Sequence, residues 1–393
     1  MAKSFRNRIR LPVIFLSGVF AAAQLGKMPP LIPLASTDLG LTLVASGLAV
    51  SLIELSGALF ALPAAKLATR IGLSRGLMAG VALLGIGGLV EALANGGGLF
   101  LVGRTVESVG YLAVIVSAPV LMAVEAKRLG SSLALVLWSA FLPLGFTIGS
   151  VFSGIVGDAL GWRVPLLVWA LVAPVLVLTY ATGSSSKEIH GNGSDRGRPS
   201  KGSIVLAFAF GCFTCFQVGI FALYPLYLVE TKGSTATFAG VVTGIGGFVT
   251  ISGILVPFYF AKMHPGRQLR MSPQMLFGSL LLPAVLLFPT LNASASASAS
   301  AAFFIALNIA SGMLPALVFS SIPRFSGSCG IASANGAVAQ TGALGSLIGP
   351  PAFAFTAYHM GWTNAATLGF AISMLALLVL HVLERQTSSN VEA

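Results

Sequence analysis

Charge is what this 393-residue sequence has least of. Asp, Glu, Lys and Arg make up 8% of it, against 56% hydrophobic residues and a mean hydropathy of +0.93. No soluble domain of this length keeps that balance, so the chain reads as a polytopic membrane protein. Cysteine is scarce too. Cys212, Cys215 and Cys329 lie in or beside apolar segments, which argues against a disulfide framework. Cys212 and Cys215 form a C-x-x-C within an apolar segment, where two small packing residues on one helix face is the plainer reading. The four histidines, His190, His264, His359 and His381, fall in loops or at segment ends and offer no metal or haem cluster. There is no phosphate-binding G-x-x-x-x-G-K-[ST] loop and no Ser/His/Asp grouping. An enzyme is therefore not expected, nor a cofactor, nor transport driven by an ATPase within the chain. No polar stretch is long enough to fold as a separate domain.

What is present is apolar runs. Twelve are legible: 11–34, 42–65, 75–94, 99–122, 131–156, 164–182, 203–229, 238–260, 273–290, 301–322, 333–358 and 364–383. Each approaches the roughly 20 residues that a bilayer-spanning helix needs. They are continuous instead of alternating, which predicts helices and excludes a barrel. The basic start (Lys3, Arg6, Arg8, Arg10), an apolar run and Ala21-Ala22-Ala23 resemble a signal peptide. The run continues through Leu31–Leu34, however, and a related segment opens the second half, so it is read as a retained helix.

The net charge of +11 could suggest nucleic acid, but its distribution points elsewhere. With the first residue inside, eighteen of the 22 basic residues fall in the termini and alternate loops of one side, and only Arg163 and Lys232 fall in loops of the other. That asymmetry places both termini in the cytoplasm of a cell membrane, with a bacterial inner membrane as the expected setting. Residues 183–202 form the one long polar stretch and read as a cytoplasmic linker between two halves, 1–182 and 203–393. The Asn292–Ser300 repeat of Ala and Ser reads as a neutral outer spacer.

The halves repeat each other. Gly145, Ile148, Gly149, Gly161 and Trp162 recur 200 residues later as Gly345, Ile348, Gly349, Gly361 and Trp362. Ser56-Gly57 and Ala65-Lys66 recur 196 residues later as Ser252-Gly253 and Ala261-Lys262. Parallel six-helix repeats are a transporter architecture.

The remaining two basic residues, Lys27 and Arg104, lie inside apolar segments, as do Glu54, Glu91 and Glu107. A charge at membrane depth costs at least ~2.5–3.5 kcal/mol on insertion scales, so such residues are kept when paired or functional. Arg104 and Glu107 stand one helical turn apart and face each other. Glu54 or Glu107 is the expected proton carrier, with Arg104 and Lys27 as countercharges. The competing structural readings are an intrahelical Arg104–Glu107 pair and an interhelical Lys27–Glu54 pair. Glu91 is expected at the outer water interface and Asp158 facing a loop. The second half holds no comparable charge, and Thr250 stands where Glu54 would repeat. Gln24 in the first half and Gln217, Tyr224, Asn308, Asn335 and Gln340 in the second are the candidate substrate ligands, with Tyr227 a further polar group. Asn335 and Gln340 could equally join helices.

Over nearly its whole length the chain resembles the major facilitator superfamily: twelve helices, a 6+6 repeat and a basic central linker. Three motifs carry the resemblance. The family's loop between helices 2 and 3, Asp-Arg-x-Gly-Arg-Arg/Lys, appears as Thr69-Arg70-Ile71-Gly72-Leu73-Ser74-Arg75, with the acid of the family's gate latch replaced by Thr69. The helix-4 Arg linked to proton coupling in drug antiporters is matched by Arg104, with Gly110 following. The exporter motif of helix 5, Gly-x-x-x-Gly-Pro-x-x-Gly-Gly, is matched by Gly145, Gly149 and Gly154, with Ser150 and Ser153 in the other places. Helix 11 repeats it as Gly345, Gly349 and Pro350. The resemblance implies a fully helical integral membrane fold and assigns Arg70, Gly72, Gly145, Gly149, Gly345, Gly349 and Pro350 to gating. It also implies a monomer whose partners are a small-molecule substrate, protons and the bilayer. The expected function is proton-coupled export of a drug-like compound or a secreted metabolite such as a siderophore. The alternatives are an importer or exchanger of a small anion bound by Arg104 and Lys27, and a non-transporting sensor.

Overall fold

A computed structural model describes residues 2–129, 140–183, 199–253, 255, 259, 263, 271–326 and 331–392. These residues are helical throughout, with no strand among them. The elements are α1 (Ala2–Gly26), α2 (Met28–Leu39), α3 (Leu43–Ser51), α4 (Leu55–Ile71), α5 (Leu73–Ala92), α6 (Gly97–Leu129), α7 (Phe141–Leu160), α8 (Arg163–Gly183), α9 (Lys201–Glu230), α10 (Ala236–Val249), α11 (Pro273–Leu276), α12 (Leu282–Thr290), α13 (Ala297–Ser311), α14 (Met313–Ser326), α15 (Ile331–Met360) and α16 (Trp362–Glu392). Among the described residues nine helices are long and apolar enough to cross a membrane, and ten when the bent pair α1–α2 counts as one. Shorter α10 and the less apolar α15 take the two remaining positions foreseen in the sequence. The chain is thus a multi-pass membrane protein. Large side chains such as Leu171, Leu178 and Leu160 stand more than 60% exposed, as a lipid-facing surface requires.

Several spans are broken by identifiable causes. Pro29 and Pro30 cannot donate backbone hydrogen bonds, and the first span bends by 44° between α1 and α2 at Lys27. The second span passes from α3 to α4 through a 3₁₀ turn at Leu52–Glu54. At Thr250, the repeat-equivalent of Glu54, α10 likewise gives way to a turn, and Gly253 and Gly312 then let two backbones touch. Phe277–Leu281 is a π-helical turn joining α11 to α12.

One end of the bundle carries the turns at Gly40, Gly161, Gly233 and Gly361; we call it the distal face. The other carries Gly72 and the start of α9, and is called the linker face. All five glycines have positive φ, which residues with a Cβ rarely adopt. Gly161 and Gly361 share φ 87°, so the 200-residue repeat extends to backbone conformation. Thr42, Ser200, Thr235, Ser272 and Ser296 cap the helices that follow them, each hydroxyl accepting from the backbone N–H three residues on.

Without a hydrophobic drive between helices in lipid, close approach through small residues does the work. In the first half, Cβ atoms on Gly145 and Gly149 would fall into the backbone of α1 around Ala23. In the second half, Gly345 and Gly349 meet α9 around Cys215 in the same way. The two halves therefore build the same helix pair with the same glycines.

Candidate functional site

The break at Lys27, the last turn of α5 and the second and third turns of α6 converge on one cluster. Lys27 Nζ lies 2.5 Å from Glu107 Oε1 and 3.1 Å from Glu91 Oε2. Arg104 Nη1 pairs with Glu107 Oε2 and stands 3.6 Å from Glu91 Oε1. All four side chains are fully buried. Two basic side chains thus face two carboxyl groups inside the first half.

Arg104 does more than balance charge. Its Nε donates to the Ala49 carbonyl at 2.7 Å, Nη2 to the Val50 carbonyl at 3.2 Å and Nη1 to the Gln24 carbonyl at 3.4 Å. α3 ends at Ser51, so the carbonyls of its last turn are open to an outside donor, and Arg104 supplies one. One guanidinium therefore ties the first, second and fourth spans, while Lys27 and Glu91 add the third.

The cluster corrects two expectations. Glu91 is not at the water interface; it is sealed between Lys27 and Arg104. Lys27 pairs with Glu91 and Glu107, not with Glu54. The glycines that make room for the acids were not singled out from sequence. A Cβ at Gly87 would lie 2.5 Å from Glu107 Cγ, and one at Gly103 would lie 2.7 Å from Glu91 Cγ. Gly88 faces Lys27 Nζ at 3.5 Å. The legible signal was small residues one turn from each intramembrane acid.

Glu54 stands apart. It is half-buried on the 3₁₀ turn and has no hydrogen bond or ion pair among the described residues. It is within electrostatic range of Arg104 without touching it. Gly57, one turn on, faces Ala343 of α15, where a Cβ would lie 3.3 Å from the Ala343 Cβ and 3.6 Å from Glu54 Oε2. The carboxylate is therefore beside the contact between the two halves. Gln340 Nε2 crosses that contact and donates to the Ala58 carbonyl at 3.0 Å.

The other candidate ligands divide. Gln217 Nε2 donates to Asn308 Oδ1 at 2.6 Å, and Asn308 Nδ2 donates to the Phe304 carbonyl at 2.8 Å, leaving Gln217 Oε1 buried with no hydrogen-bond partner among the described residues. Phe146 of α7 and Phe221 of α9 meet edge to face at 5.2 Å, one ring from each half. Tyr224 is consumed by packing: its ring stacks on Phe304 at 4.0 Å and its hydroxyl bonds Ser300 at 2.9 Å. Its neighbour Tyr227 packs on Trp362. Gln24 is buried and donates to the Phe20 carbonyl of its own helix at 3.1 Å. Asn335 is exposed near the start of α15. The structure thus joins Gln217 to Asn308, while the Tyr224 hydroxyl and the Gln24 amide bond to other groups.

The glycines expected to gate lie within each half. Gly145 and Gly149 pack on α1, and Gly345 and Gly349 on α9. Contacts between halves use other residues. The Pro350 carbonyl meets Gly47. α7 and α10 meet along one seam: Thr147 Oγ1 donates to the Gly244 carbonyl and Ser150 Oγ to the Gly240 carbonyl, both at 3.0 Å, and Gly154 abuts Gly240. At the distal end of the seam the exposed Asp158 Oδ2 accepts from Thr237 Oγ1 at 2.7 Å and from its N–H at 3.4 Å. Asp158, expected to face a loop, instead accepts from the first turn of α10 and bridges the halves. Gly72 starts α5 at φ 100°. The side chain of Arg70, Cys329 and most of the linker lie outside the described residues.

No curated protein sequence matches the chain. A solved bacterial homologue of the human lysosomal transporter Spinster, in an inward-facing and occupied conformation, is similar in fold at 13% identity, with a TM-score of 0.72 over 96% of this chain and 95% of that one. A mutant of the nucleoside transporter NupG is similar at 11% identity, with a TM-score of 0.78 over 95% and 99%. The family profile described as Major Facilitator Superfamily matches residues 14–350, and this chain belongs to that family of transporters.

Proposed function

We propose that the chain is a proton-coupled secondary transporter that exports a small organic compound, of the drug-like or secreted-metabolite kind, by alternating access. The observation that carries the reading is Glu54. The four side chains of the cluster are sealed and face one another, whereas Glu54 is half-buried, unpaired among the described residues and placed at the contact between halves. A carboxylate there can take a proton when one face opens and release it when the other does. Glu107, the other candidate carrier, is held by two cations and is assigned to keeping the first half together. Gln217 and Asn308, with Phe146 and Phe221 nearby, offer neutral hydrogen bonds and aromatic surface to substrate.

The anion-import reading loses support because Lys27 and Arg104 already face carboxylates. Export is favoured by the likeness of Gly145–Gly154 to the exporter motif. The basic residues put the linker face in the cytoplasm. The seam then closes the outer side, and the chain acts as a monomer.

Untargeted mass spectrometry of culture medium tests direction. A compound enriched on overproduction and lost from the medium on deletion supports export. Slower depletion of a supplied solute in the deletion strain overturns it in favour of uptake.

A further inference from the structure

An apolar groove lies near the linker face between α16 and the π-helical turn after α11. Pro273, Phe277, Met374, Leu377, Leu378 and His381 line it. The Phe277–Leu281 π-helical turn, of a kind often found at functional sites, borders the groove. Phe277 and Leu378 are 56% and 61% exposed. On a membrane-spanning chain this face looks into lipid.

The groove has a charged rim. His381 and Arg385 follow Leu378 on the same face of α16, three and seven residues on, and Arg385 is exposed. The acid on this turn, Glu384, is already spent. Arg324 engages both its oxygens, and Oε1 also accepts from the Met271 N–H at 3.2 Å. What faces outward is therefore an apolar slot ending in the Arg385 guanidinium and the His381 ring.

We propose that this groove is a binding site for one anionic phospholipid. An acyl chain occupies the slot between Phe277 and Leu378, and the phosphate headgroup sits on Arg385 and His381. Hydrocarbon alone would accept any lipid; Arg385 selects the negative headgroup and adds about fivefold in affinity, while the His381 ring offers a hydrogen bond. The site lies on the outside of the second half and does not depend on which carboxylate carries protons.

Native mass spectrometry of the full chain in detergent, with phosphatidylglycerol and phosphatidylcholine of identical acyl chains, tests it. The wild type is expected to retain phosphatidylglycerol preferentially. Arg385→Gln with His381→Gln should abolish the preference while leaving some retention of both lipids. Leu378→Trp, which fills the slot from the surface, should lower retention of both. Equal retention of the two lipids by the wild type, an unchanged preference in the double variant, or no effect of Leu378→Trp would each overturn the proposal.

Discussion

Lys27, Glu91, Arg104 and Glu107 illustrate an asymmetry of buried charge. A balanced cluster is close to neutral for stability as a whole, yet removing one member strands its partner and costs about 3–5 kcal/mol. Glu91→Leu should therefore lower the midpoint of thermal unfolding markedly and reduce the yield of folded protein. Glu54→Gln removes a carboxylate with no partner among the described residues, so its unfolding midpoint should stay near that of the wild type. Tryptophan fluorescence or light-scattering melts of the two purified variants check both. At this scale the sequence was partly legible. The spacing of Arg104 and Glu107 announced their pair. Glu91 was misplaced because closeness to a segment end was equated with contact with water. Gly87 and Gly103 let α5 and α6 come close enough to bury it, and a glycine's partner cannot be seen from one strand of sequence.

At the scale of elements, the glycines of α7 and α15 were legible as close-approach residues but not as to what they approach. Gly145, Gly149, Gly345 and Gly349 pack within each half, on α1 and α9, while Gly154 alone of the motif glycines meets the other half, at Gly240. Gly149→Val should abolish accumulation of folded protein, since a side chain there collides with the α1 backbone; size-exclusion profiles after overproduction measure this. The seam between halves was harder to foresee because its bonds run from α7 side chains to α10 carbonyls. Carbonyls carry no sequence signature. Asp158 closes the seam at the distal face, while Thr69 replaces the family's acid near the linker face. Asp158→Ala should increase the population opened at the distal face. Spin labels at the exposed Leu160 and Thr231, in a chain without its three cysteines, should then report longer distances. An unchanged distance distribution would count against a latch role.

At the scale of the whole molecule the reading was most successful, because topology is written in long-range statistics that no single contact can blur. The 200-residue repeat foretold matching turns, and Gly161 and Gly361 adopt the same φ. The first-span bend follows from Pro29 and Pro30, yet its size and its pinning by Lys27 required the tertiary structure. The charge asymmetry predicts a cytoplasmic linker face. In intact cells, a cysteine at Thr231 should react with a membrane-impermeant maleimide, and one at Lys201 should react only after permeabilisation.

The central claim is that Glu54 couples proton movement to substrate movement while the buried tetrad only holds the first half together. Once the transported compound is known, the most direct measurement compares two activities of Glu54→Gln in proteoliposomes: exchange of labelled for unlabelled substrate, and accumulation driven by a pH gradient. The account predicts that exchange persists and gradient-driven accumulation is lost. Accumulation at the wild-type level in Glu54→Gln would contradict it and return the proton to another group.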